Sequence, residues 1–258
     1  LLINVLALLL VWQVSHIKQV AADDKIKVVT TFYPVYEFTK AVMGDTANVS
    51  MLIKAGTEPH DFEPSTKNVA TISDADMFVY MDDSMETWVK KVKKSINSDN
   101  LTIVRASGDM LLMAGTAEEG EDHDEHEGHS HEYDPHVWLS PKRAVTLVEN
   151  IRDTFVAKYP DKADTFKANS AAYIEKLNDL DKAYTDGLSN AKQKSFVTQH
   201  AAFGYLALDY GLNQISIAGI SPEVEPSAKR IASLTKYVKK YDIKYIYFEE
   251  NASSKVSR

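Results

Sequence analysis

Eight histidines and no cysteine define the donor chemistry of this 258-residue chain. Five of the eight lie in "EDHDEHEGHSHEYDPHVW" (121–138), a stretch with no lysine or arginine. Imidazoles set among carboxylates suit a cation, and imidazole nitrogen favours Zn²⁺, Cu²⁺ or Ni²⁺ over the oxygen-seeking Mg²⁺ and Ca²⁺. The five do not read as equivalent. His123, His126, His129 and His131 sit among acids and glycine with nothing apolar to hold them. His136 follows Asp134–Pro135 and precedes "VWLSP", where proline restricts the backbone, Val137 and Trp138 can pack, and Ser140–Pro141 can start a helix. Two further histidines, His60 and His200, stand alone at spacings of 76 and 64 residues from His136, too far apart for a local metal motif.

The absence of cysteine removes thiolate sites, thiol nucleophiles and disulfides as readings of this chain, and with them a lipid-modified N-terminal cysteine. The formal charge is −8, and residues 118–134 account for nine acids and no base, so the remaining 28 acids nearly balance 29 bases. No basic patch suggests nucleic acid as a partner. The acidity belongs to one local device.

The histidines must be positioned by the elements around them, and those alternate. Strands are predicted over 25–31, 48–54, 77–81 and 101–107, with helices over 34–44, 64–75 and 85–96 between them. Residues 114–134 break the pattern and read as a mobile insertion with too little apolar surface to order itself. Helix resumes over 140–159, with Ser140 as its cap. A long amphipathic helix over 161–190 follows, about 40 Å if unbroken. A second α/β unit is predicted over 191–258: strands 194–199, 213–219 and 243–250, helices 200–211 and 226–241. This reads as an α/β fold of two Rossmann-like lobes with parallel sheets, a first lobe (25–160) and a second (191–258), joined by a long rigid helix (161–190). His60, His136 and His200 each fall where a predicted element ends, the place where open α/β sheets bind ligands, so a metal site in the interlobe cleft is expected.

The opening residues, "LLINVLALLLVWQVSHIKQVAADDK", carry an apolar run too short for a bilayer span and suited to an export signal, giving a leader over 1–24. The start looks clipped, and the second lobe reads as truncated after the helix-like "NASSKVSR".

Four segments, "AGTEPHDFEPS" (55–65), "DPHVWLSP" (134–141), "TQHAAFGYLALDYGL" (198–212) and "YIYFEENASSK" (245–255), occur in the order found in the zinc-specific substrate-binding proteins of ABC importers, the cluster A-I group. From about residue 25 onward the chain resembles that group, in particular its long streptococcal type. The resemblance implies that His60, His136 and His200 are metal ligands. It also implies Zn²⁺ over Mn²⁺, since manganese-type relatives generally carry glutamate where His200 stands. It implies a fourth, acidic ligand on a loop downstream of residue 258. Within the chain, Glu249 and Glu250 end the last predicted strand, and one of them could serve as an oxygen ligand; the other reading is a hydrogen-bonding cleft residue or helix cap. The four clustered histidines resemble the His-rich loop of zinc-type members, an auxiliary low-affinity metal loop for capture or sensing.

The function implied is an exported, monomeric, non-catalytic protein that captures Zn²⁺ and delivers it to an ABC transporter permease. The alternatives are a manganese-type binding protein, a surface adhesin, and a zinc hydrolase with a three-histidine site. The hydrolase lacks support from any H-E-x-x-H motif.

Overall fold

β-Branched and apolar residues dominate the segments "IKVVT" and "MFVY", and both become buried parallel strands in the computed structural model of the chain. The structure describes residues 25–96, 100–114, 133–222 and 226–249. Strands β1 (Ile26–Thr30), β2 (Ala47–Met51), β3 (Met77–Tyr80) and β4 (Thr102–Arg105) pair in the order β2-β1-β3-β4, all parallel. Strands β5 (Ser195–Thr198), β6 (Asn213–Ser216) and β7 (Ile246–Tyr247) form a second parallel sheet in the order β6-β5-β7. In each sheet the first strand of the unit is internal and the order reverses beside it. That reversal opens a crevice at the carboxyl ends of the strands.

Helices α1 (Tyr33–Met43), α2 (Thr66–Ser73), α3 (Val89–Ser95) and α4 (Pro141–Lys158) cover the first sheet, which is why β3 is buried along its whole length. Gly44 stops α1 at a positive φ of 53°, a conformation that side chains resist, and the amide of Asn169 lies where its Cβ would point. Ser65 caps α2 through a reciprocal capping box with Asn68. Ser140 precedes α4, but its hydroxyl makes no cap bond. It donates instead to Asp209 Oδ2 at 2.6 Å, a tertiary partner that the local sequence does not reveal.

The long helix α5 spans Ala163–Ser189. Its first half packs on α1 and α4 and buries Phe166, Ser170 and Leu177. The predicted apolar stripe continues to Leu188, yet nothing after Leu177 is buried, and Leu180 is 45% exposed. Periodicity records which residues share a face, not whether a neighbour covers it.

In the second half of the chain, α6 (Gly204–Asp209) is shorter than the predicted 200–211 helix, because residues 199–203 form the turn that carries His200. Helix α7 spans Ala228–Lys240, capped by Ser227. Strands β6 and β7 are shorter than predicted, and the β7 residues are exposed on both faces. The core here is a small cluster of Val197, Ile217, Leu234 and Ile243, whereas the first sheet carries two clusters with Phe155, Phe166, Phe78 and Trp88 among them. No helix among the described residues is long and apolar enough to cross a membrane. The predicted leader (1–24), most of the insertion with His123, His126, His129 and His131, and the terminal segment with Glu250 lie outside the described residues.

The two sheets are joined by more than α5. Asp209, at the end of α6, accepts bonds from Arg143 Nε (2.9 Å) and Nη2 (3.0 Å) on α4, alongside the Ser140 hydroxyl. Tyr205 of α6 is fully buried within the first core cluster. Its hydroxyl accepts from the Met113 amide at 2.8 Å and donates to the Asp134 carbonyl at 2.6 Å. The Arg143 guanidinium lies over its ring at 4.6 Å.

Candidate metal centre

The three isolated histidines meet. One ring nitrogen from each of His60, His136 and His200 falls in a set whose members all lie within 4.8 Å of one another. His60 lies on the loop between β2 and α2, His136 on the segment leading into α4, and His200 two residues past β5. The site therefore sits beyond the carboxyl ends of both sheets and draws on both.

Each ring is set differently. The His60 amide donates to Glu58 Oε1 at 3.0 Å, a short turn that fixes the loop, and the His60 ring is half-buried. Burial pushes the Glu58 carboxyl above its ordinary range, against the lowering pull of that amide and of nearby His200. His136 is 2% exposed. Asp134 Oδ1 accepts both its backbone N–H at 2.9 Å and its ring Nδ1 at 2.8 Å. Trp138 lies against the same ring at a centroid distance of 5.3 Å and edge-on to Phe32, extending the core up to the site. His200 is buried, and its Nδ1 is bonded to Glu249 Oε1.

His60 Nε2 and His136 Nε2 are 3.0 Å apart. A tetrahedral ion about 2.0–2.1 Å from each nitrogen would hold such a pair roughly 3.3 Å apart, so the observed spacing needs only a small adjustment. Three converging imidazoles with no thiolate make a borderline site, suited to Zn²⁺ and poorly suited to Mg²⁺ or Ca²⁺.

Sequence reasoning singled out these three histidines and gave Glu249 as a possible oxygen donor. The structure places Glu249 on the side of His200 that carries Nδ1. Asp134, Glu58 and Tyr205 were not singled out. Asp134 and Glu58 each stand two residues before a histidine, in D-P-H and E-P-H, and that shared spacing was the signal available.

The family described as zinc-uptake complex component A, periplasmic, matches residues 28–258. The chain belongs to that family. The zinc-binding protein AdcA of Streptococcus pyogenes serotype M6 is 64% identical over 268 residues, covering 100% of this chain and 52% of the relative. The zinc-binding lipoprotein AdcA of Streptococcus pneumoniae strain R6 is 64% identical over 254 residues, covering 98% of this chain and 50% of the relative. The chain thus spans about half the length of these curated relatives. Among solved structures, the Zn(II)-bound ZnuA-like domain of Streptococcus pneumoniae AdcA superposes with a TM-score of 0.75 at 62% identity, covering 89% of this chain and 80% of that one. Membership in this zinc-uptake family agrees with the two-sheet α/β architecture and with the chemistry of three converging imidazoles.

Proposed function

We propose that this chain is the zinc-capturing component of an ABC importer, acting outside the membrane and passing the ion to a permease. His60, His136 and His200 are its metal ligands. The observation that carries the reading is the convergence of three imidazoles from distant parts of the chain, within 4.8 Å, in a member of a zinc-uptake family. Zn²⁺ is cargo here, so the role is binding and release. Export is supported by the periplasmic description of the family and by the "lipoprotein" in one relative's name. The His-rich loop (His123, His126, His129, His131) serves as an auxiliary, weaker metal collector, and removing it is expected to leave the tight site nearly intact.

A competition titration against a zinc chelator tests the reading. The protein should hold one tight Zn²⁺, compete poorly for Mn²⁺, and lose more than the ~100-fold upper end typical of outer partners when His136 is replaced by alanine. Equal preference for Mn²⁺, or tight binding that survives His136→Ala, would end it.

A further inference from the structure

We propose that Asp134 and Glu249 are positioning residues for the metal site, one from each lobe. Each takes the Nδ1 of a histidine and so turns the Nε2 of that ring toward the ion. The proposal rests on the zinc-binding reading above and deepens it. It assigns Glu249 a place behind His200 rather than on the metal.

The two arrangements have the same chemistry from unrelated starting points. Asp134 reaches His136 across two residues, through a turn in which one carboxylate oxygen receives both the backbone N–H and the ring. Glu249 reaches His200 across 49 residues, through strand pairing. The β5–β7 register pairs Thr198 with Tyr247. The ladder then continues, with the Gln199 amide donating to the Tyr247 carbonyl at 2.9 Å and the Glu249 amide donating to Gln199 Oε1 at 3.3 Å. The register that builds the sheet therefore also delivers the carboxylate to the ring.

A neutral imidazole carries its proton on one nitrogen and offers a lone pair on the other. A carboxylate on Nδ1 holds the proton there, leaves Nε2 free for the metal, and strengthens it as a donor. The geometry favours this role over direct ligation for Glu249. The set of mutually close donor atoms found among the described residues comprises the three histidines and contains neither carboxylate. The two partnerships differ in setting. The Asp134 side chain is 5% exposed and its ring 2%, whereas the Glu249 side chain is 39% exposed. Asp134 is held further from the second lobe. Its carbonyl accepts the Tyr205 hydroxyl, and a Cβ on Gly204 would fall 2.9 Å from its Oδ2.

The test compares the unaltered chain with Glu249→Ala, Glu249→Gln, Asp134→Ala and His200→Ala. It uses Zn²⁺ competition, Co²⁺ absorption at saturation, and long-range ¹H–¹⁵N spectra of the metal-free rings. Glu249→Ala should weaken Zn²⁺ roughly 10–100-fold. At saturation it should keep the Co²⁺ band shape, and in the metal-free protein the His200 proton should redistribute between its two nitrogens. Glu249→Gln, whose amide oxygen can still accept from Nδ1, should recover most of the affinity. Asp134→Ala should do to the His136 signals what Glu249→Ala does to those of His200.

Two results overturn the assignment while leaving the zinc reading intact: unchanged affinity and His200 tautomer in Glu249→Ala, or a changed Co²⁺ spectrum at saturation, which would make Glu249 a direct ligand. No measurable zinc binding by the unaltered chain, or no loss in His200→Ala, would instead remove the zinc reading itself.

Discussion

His136 and His200 are both buried imidazoles backed by a carboxylate, yet they stand on very different foundations. Beneath His136 lie Trp138, Phe32 and the large core that α1, α4 and the first half of α5 close over the first sheet. Beneath His200 lies a four-residue strand, with a small cluster around Val197 and Leu234. Its carboxylate partner lies two residues past a two-residue strand that is exposed on both faces. The pairing of ring with carboxylate is alike on the two sides, while the packing behind it is not. Orientation of a ligand depends on what packs behind it, and here the first lobe supplies most of that packing. The second lobe compensates by fastening α6 to α4 through Asp209 and by inserting Tyr205 into its neighbour's core.

That contrast can be broken or sharpened by mutation. The largest effect is expected from Phe155→Ala, which empties a fully buried site in the first core and should cost ~3–5 kcal/mol. Leu234→Ala in the second core should cost only ~2 kcal/mol, the low end for such a truncation, because the site is small and near the surface. Urea unfolding of both variants checks the order, and equal costs would erase the distinction.

Next comes a pH response confined to the first lobe. Glu86 is fully buried and accepts from the Met81 and Asp82 amides at 3.0 Å each and from the Thr31 hydroxyl. Burial pushes its carboxyl from an ordinary 4.5 up to about 7. Between those values the unfolded chain gives up its proton while the folded chain keeps it, so stability falls as pH rises through that window, by on the order of 3 kcal/mol. Metal-free protein and its Glu86→Gln variant, melted from pH 5 to 8, should therefore converge or cross as the pH rises. A constant gap would show that Glu86 does not titrate there.

Asp209→Ala removes the acceptor for Arg143 and Ser140 between the lobes. It should cost ~1–2 kcal/mol, since the pair is only partly buried. Zinc affinity should fall only a few-fold, less than in Glu249→Ala, as titration would show. The smallest effect is expected at Leu180 on the uncovered half of α5, where Leu180→Ser should change stability by less than ~0.5 kcal/mol in the same urea assay.

Much of this molecule is legible in its sequence. The alternation of β-branched strands with helical periods marked out both sheets, because burial on two faces leaves near-continuous apolar runs such as "MFVY". Gly44 and Ser65 marked helix ends through local backbone chemistry that needs no tertiary information. The three histidines were legible from the ends of elements and from motif resemblance. What escaped depended on partners far along the chain. Ser140 does hold the N-cap position of α4, but its hydroxyl bonds Asp209 rather than the helix. The stripe of α5 looked equally apolar along its length, and only the position of α1 and α4 decides where it is covered. Glu249 reads in the sequence either as an oxygen ligand or as a hydrogen-bonding cleft residue, and only the register of β5 with β7 shows the ring that it bonds, His200.

Tyr205 carries one more consequence, concerning cooperativity. By chain order it belongs to the second α/β unit, but its ring fills the first core and its hydroxyl serves both Met113 and Asp134. Melting the second unit alone would withdraw that ring, leave a hole the size of a buried aromatic, and strand an amide and a carbonyl without their partner. The larger half thus loses stability whenever the smaller half opens. Heating the protein should produce one transition whose calorimetric and van't Hoff enthalpies agree, even though the chain builds two separate sheets.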